Sequence, residues 1–117
     1  MQRRVKLFEC KHDDRVWCVM FNNNLLYTSS QDKTIKVWDD GRLVNTLQHD
    51  AACGNFDFRN GLCAIANDIK GITIWNLADN KKLKHFELGD ISDVRFQTDD
   101  NLIAGAHDGR VIKIDFK

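Results

Sequence analysis

Apolar and polar positions alternate with a period of two along most of this 117-residue chain. The clearest stretch is Thr34-Ile35-Lys36-Val37-Trp38, which puts Ile35 and Val37 on one face of a strand and Thr34, Lys36 and Trp38 on the other. The same reading, with enrichment in strand formers, predicts strands at 4–8, 16–21, 25–30, 34–38, 42–47, 56–58, 62–66, 72–75, 82–86, 91–96, 102–106 and 111–115. Turn signals separate them, among them Asn22-Asn23-Asn24, Gln31-Asp32-Lys33, Asp39-Asp40-Gly41, Asn60-Gly61, Asp79-Asn80, Asp99-Asp100-Asn101 and Asp108-Gly109. No segment holds a 3.6-residue apolar period over three turns. The expectation is an all-β chain of short strands joined by hairpins.

The strands recur as a set. Val16-Trp17-Cys18-Val19-Met20-Phe21 returns as Cys53-Gly54-Asn55-Phe56-Asp57-Phe58 and again as Ile91-Ser92-Asp93-Val94-Arg95-Phe96. Phe21, Phe58 and Phe96 are 37 and 38 residues apart (58 − 21, 96 − 58), and Trp38, Trp75 and Ile114 are 37 and 39 apart (75 − 38, 114 − 75). A period in this range marks stacked supersecondary units, each of which needs neighbours to bury its faces. Within the pattern Trp17 has no large counterpart, since Gly54 and Ser92 hold its position. A large aromatic there is either an exposed anchor for a partner, with Arg15 beside it, or a filler of a gap left by small neighbours.

Composition narrows the function classes. Seventeen basic and seventeen acidic residues cancel, so no general attraction to nucleic acid or anionic membrane is expected. No apolar run approaches the ~18 residues that span a bilayer, and the start, Met1-Gln2-Arg3-Arg4, does not read as a signal peptide. The four cysteines, at 10, 18, 53 and 63, form no Cys-x-x-Cys pair. They are expected to be reduced and structural, with no metal site, which agrees with an intracellular setting, cytoplasmic or nuclear. There is no proline and no linker-like stretch, so one domain over 1–117 is expected.

Catalytic chemistry finds no foothold. The chain has no Gly-x-Ser-x-Gly elbow, no His-Glu-x-x-His and no phosphate loop, and His12, His49, His85 and His107 are scattered. No enzyme activity and no cofactor is expected. The basic runs Lys81-Lys82-Leu83-Lys84-His85 and Arg3-Arg4 leave RNA or DNA contact as the alternative class, though they read first as solvated faces.

The residues resemble the WD-repeat β-propeller family. The match is closest over residues 26 to 39, Leu26-Tyr27-Thr28-Ser29-Ser30-Gln31-Asp32-Lys33-Thr34-Ile35-Lys36-Val37-Trp38-Asp39, with its small-residue strand, Asp turn and Trp-Asp ending. His12 and His49 stand where the family's Gly-His dipeptide places a histidine. The resemblance implies three four-stranded antiparallel blades, over repeats at approximately 3–39, 42–76 and 82–115. It also implies a structural hydrogen-bond network of His12, Ser30 or Thr28, Asp32 and Trp38. In the second unit Ala64 or Ala66 replaces the hydroxyl residue and Asn76 the terminal Asp; in the third, Ile114 replaces the Trp and Glu87 or its neighbours the His. The resemblance makes the chain a protein-interaction scaffold within a multi-subunit complex, binding other proteins through loop rims. Candidate binding residues are Trp17, Arg15, Asp14, Lys33, Lys70 and Arg110. The third unit lacks an outer strand, which residues 3–8 are of the type to supply. The arc is therefore expected to close as a homodimer of six blades, or with further blades if the chain is a fragment of a longer WD-repeat protein.

Overall fold

The computed structural model describes residues 8–116, so the strand expected at 3–8 lies outside the described residues except for Phe8, which is not in a strand. Eleven strands follow among the described residues. The first sheet, blade 1, is β1 (Val16–Asn22), β2 (Leu25–Ser30), β3 (Thr34–Asp39) and β4 (Arg42–Gln48). Blade 2 is β5 (Phe56–Arg59), β6 (Leu62–Ala66), β7 (Ile72–Asn76) and β8 (Lys81–Phe86). Blade 3 is β9 (Ile91–Thr98), β10 (Asn101–Ala106) and β11 (Val111–Asp115). Each is an antiparallel meander in sequence order, and the third lacks a fourth strand among the described residues.

The hairpins close where the turn chemistry allows. Asn23-Asn24, Asp40-Gly41 and Asn60-Gly61 each put two consecutive residues at positive φ, the two-residue turn that matches strand twist. Between β6 and β7 the longer turn tightens into a 3-10 segment, Asp68–Lys70, that the sequence reading does not anticipate.

Two cores lie between blades. Tyr27, Ile35, Val37 and Leu47 of blade 1 pack with Phe56, Cys63, Ile65 and Trp75 of blade 2. Ala64, Ala66, Ile72 and Ile74 of blade 2 pack with Val94, Leu102 and Ala104 of blade 3. Thus each blade has a face toward the preceding blade and one toward the following blade, set by the two-residue period. Tyr27 meets Phe58 across the first seam with ring centroids 4.7 Å apart. Across the second seam the Asp57 carboxylate accepts the Phe96 N–H at 2.8 Å, and Asn55 donates to the Ser92 carbonyl at 3.2 Å.

Among the described residues the outer faces of the arc are bare. Val19 and Phe21 on the preceding side of blade 1 are 61% and 70% exposed, whereas Phe56 and Val94 at the Val19 position are buried. Val111 of blade 3 is 81% exposed, whereas Ile35 and Ile72 at its position are buried. The radius of gyration is 15.0 Å with extents of 52 × 27 × 27 Å, against ~13 Å for a compact domain of about this length. All four cysteines are free thiols, with Cys53 and Cys63 buried.

Candidate functional site: the blade network and the rim

Blade 1 carries a continuous chain of polar contacts. Asp32 Oδ2 lies 2.9 Å from His12 Nδ1, His12 Nε2 lies 2.6 Å from Thr28 Oγ1, and Trp38 Nε1–H donates to Thr28 Oγ1 at 2.9 Å. All partners are served if His12 carries its proton on Nδ1 and gives it to Asp32, while the Thr28 hydroxyl donates to Nε2 and accepts from Trp38. Asp32 also accepts the Thr34 hydroxyl at 2.6 Å and the backbone N–H groups of Thr34 and Asp13. Burial pushes the Asp32 carboxyl up, but these hydrogen bonds from Thr34, Asp13 and His12 outweigh it and hold it down at about 2.

Of the two hydroxyls expected, Thr28 is the one in the chain, and Ser30 is not. Ser30 sits at the end of β2, where its short side chain accepts the Asp32 N–H at 3.0 Å and donates to the Asp14 carbonyl at 3.3 Å, a local turn-capping role. Thr28 is two residues deeper, level with the Trp38 ring. The second blade needs a matching correction. The ladder places Trp38 opposite Leu26 and Trp75 opposite Cys63, so the counterpart of Thr28 is Ile65, not Ala64 or Ala66. With no hydroxyl to bridge, Trp75 Nε1–H donates directly to His49 Nε2 at 3.0 Å.

That direct bond requires a neutral histidine. Burial first, then the Lys82 charge, pull His49 down to about 4 from its ordinary 6.5. The unfolded chain therefore binds a proton that the fold refuses, and stability falls as pH drops from about 6.5 toward 4. Asp32 adds a second loss as pH falls through its ordinary 3.8 toward 2, because its carboxylate is favoured in the fold. The melting temperature is expected to hold from pH 8 to about 6.5, to decline to pH 4 and to fall further below. His49→Gln, which keeps an acceptor for Trp75, should flatten the first decline and leave the second, as calorimetry across pH would show.

The expected binding residues all lie at one end of the blades: Asp14 and Arg15 in the loop before β1, Trp17 at the start of β1, and Lys33, Lys70 and Arg110 in the turns between each second and third strand. Trp17 is half-exposed, so it does not fill the core, and its Nε1–H donates to Gln31 Oε1 at 2.9 Å. It occupies a bulge: Val16 pairs with Ser30 and Cys18 with Ser29, leaving Trp17 unpaired and its side chain re-aimed. Ser92 holds the matching bulge in β9. Asp14 caps the Arg15 N–H at 2.7 Å. Lys33 adopts φ 74, a conformation costly for a lysine, and its carbonyl accepts the His49 N–H. Lys70 lies on the 3-10 turn. Arg110 is committed locally, clamping Asp108 at 2.8 Å and donating to the Leu88 carbonyl at 2.8 Å.

A half-open cavity of about 220 Å³ lies at this end, lined by Trp17, Gln31, Gly54, Asn55, Asp68 and Ser92 with Ala52, Ile91 and His107. Of the expected binding residues only Trp17 is in its wall. Asn55, Asp68 and Ser92 are lining residues that the sequence reading did not single out. The signal for two walls was present: the small residues at the Trp17 position of the other repeats leave the space that Trp17 borders. No group of His, Cys, Asp or Glu among the described residues has the arrangement of a metal site. No described helix is long and apolar enough to cross a membrane.

Comparison with known proteins agrees with this architecture. The family model for the WD domain, G-beta repeat, matches residues 3–39. A bromodomain and WD repeat-containing protein of Dictyostelium discoideum is 35% identical over 79 residues, covering 60% of this chain and 4% of that protein. The WD40 beta propeller domain of Doa1 is similar at a TM-score of 0.77 and 26% identity, over 91% of this chain and 38% of that one. The computationally designed Ika4 protein is similar in fold at a TM-score of 0.79 and 22% identity, over 91% of this chain and 69% of that one. The chain thus spans a small part of the curated relative it matches.

Proposed function

We propose that this chain, whose residues 3–39 match the WD-repeat family model and whose fold is that of WD40 propeller blades, is a non-catalytic scaffold that presents the loop rim around Trp17 to a protein partner within a larger assembly. The observation that carries this is Trp17 itself, a half-exposed indole held by Gln31 beside a cavity on a rigid sheet edge. Exposed aromatic side chains of this kind dominate binding energies. The polar clusters of the chain support the reading too, because His12, Asp32 and Thr28 are spent on each other and on Trp38. Asp14, Arg15, Lys33, Lys70 and Arg110 ring the same end and are proposed as its polar margin.

The bare end faces call for cover, and two sources fit: a second copy, giving six blades, or further blades of another kind. The residues favour the second. Inside the arc the following faces are apolar where Val37 and Ile74 sit, but blade 3 has Lys113 at that position and an Asp93–Arg95 pair at 3.1 Å on its first strand. A second copy would set Val19 and Phe21 against those charges. Blades with apolar faces like those of β3 and β7 would not.

The experiment is a pull-down with wild type and Trp17→Ala side by side. Loss of the partner with an unchanged melting temperature is expected. A large drop in melting temperature, or undiminished capture, would assign Trp17 a packing role instead. Binding to RNA or DNA with steep salt dependence would move the chain to the alternative class.

A further inference from the structure

We propose that the Trp17 cavity is a receptor for a single arginine side chain of the partner; this rests on the scaffold reading of the same rim. Size comes first. At about 220 Å³ the cavity falls below the ~300–1,000 Å³ of small-molecule and cofactor sites, so it suits one long side chain and not a whole ligand. Its walls come from all three repeats: Trp17 and Gln31 from blade 1, Gly54, Asn55 and Asp68 from blade 2, Ile91, Ser92 and His107 from blade 3.

The chemistry of those walls selects the guest. Asp68 is the one carboxylate in the lining, and its oxygens have no partner among the described residues. Asn55 spends its Nδ2 on the Ser92 carbonyl, so its Oδ1 is left as an acceptor. The Ser92 hydroxyl is donated to the Gly105 carbonyl. No lysine or arginine is in the lining; Lys70, on the same turn as Asp68, stands outside it. The walls thus hold unused acceptors, a negative charge and an indole. Arginine answers all three, because its guanidinium is planar, always charged, rich in forked N–H donors and stacks on aromatic faces. Lysine matches the charge but offers no plane to stack. The site is also set in advance. Gln31 holds the Trp17 ring, and Asp68 is kept at φ 46, a left-handed conformation uncommon for a residue other than glycine.

The test follows the Trp17 indole resonance by NMR while acetyl-arginine-amide is added, with acetyl-citrulline-amide and acetyl-lysine-amide as controls. A saturable shift is expected with the arginine probe. It should weaken about tenfold or more with citrulline and in Asp68→Asn, since a charge-assisted bond is lost. Asparagine tolerates the left-handed conformation, so Asp68→Asn keeps the turn and the fold. No shift, equal binding of citrulline or lysine, or an unchanged response in Asp68→Asn would overturn the assignment. The scaffold reading fails separately: partner capture lost in Trp17→Ala but kept in Asp68→Asn would leave the scaffold standing and the arginine receptor refuted.

Discussion

Phe56→Ala should lower the unfolding free energy by about 3–5 kcal/mol, while Phe21→Ala in the same chain should cost under about 1 kcal/mol. The two phenylalanines lie on the first strands of successive blades and both face the preceding blade. Phe56 is buried in the first seam, in edge-to-face contact with Phe58 at 5.5 Å. Truncating it removes its apolar burial and opens a cavity between sheets that the strand ladders hold apart. Phe21 faces outward at 70% exposure, so most of its surface is already in solvent. Urea titrations of the isolated chain would measure both. Equal costs would mean that the preceding face of blade 1 is covered in the chain by itself, which contradicts an open arc.

Asp32→Ala is the second large effect, a loss of about 3 kcal/mol. The carboxylate accepts from His12, from the Thr34 hydroxyl and from the Thr34 and Asp13 N–H groups. Removing it strands a buried imidazole and leaves a turn without its internal acceptor, and bonds to a charged group are each worth ~1.5–3 kcal/mol. Asp68→Asn should cost no more than about 0.5 kcal/mol, because the Asp68 side chain joins no such network. Combining Asp32→Ala with Thr28→Val should cost clearly less than the sum of the two, since both cut one chain of contacts. Simple additivity would mean that the contacts act independently.

Much of this was legible in the residues. The strand at 25–30 and the one at 111–115 end where the alternation and turns say, because hairpins with Asn-Gly, Asp-Gly or Asn-Asn turns leave little freedom of register. The membership of the His12 network was legible only to within one residue type. Thr28 and Ser30 share a face of β2, and only depth along the strand decides which meets Trp38. The same ambiguity hid Ile65, because the longer turn before β7 breaks the count from Asp68 back to β6. The Trp17 cavity was harder still. Asn55 and Asp68 come from one repeat and Ser92 from the next, and no local pattern says that the bulges in β1 and β9 bring their surroundings together. What the sequence did offer was a mismatch between Trp17 and the small residues at its sister positions. The bare outer faces could be expected from the count of repeats, but their unequal chemistry, apolar at Val19 and Phe21 and charged at Lys113, shows only once the strands are placed.

The central claim is that these blades form an open arc whose apolar end needs cover. Light scattering on the purified 13.5 kDa chain at tens of micromolar, beside Phe21→Asp, tests it most directly. With no further blades present to cover it, the apolar face of blade 1 is expected to stick to the same face of a second chain, not to the charged face of blade 3, so wild type should run heavier than one chain and the charged variant should return toward a single chain with its circular dichroism unchanged. A monodisperse single chain for wild type, indistinguishable from the variant, would mean that the face of blade 1 needs nothing to cover it.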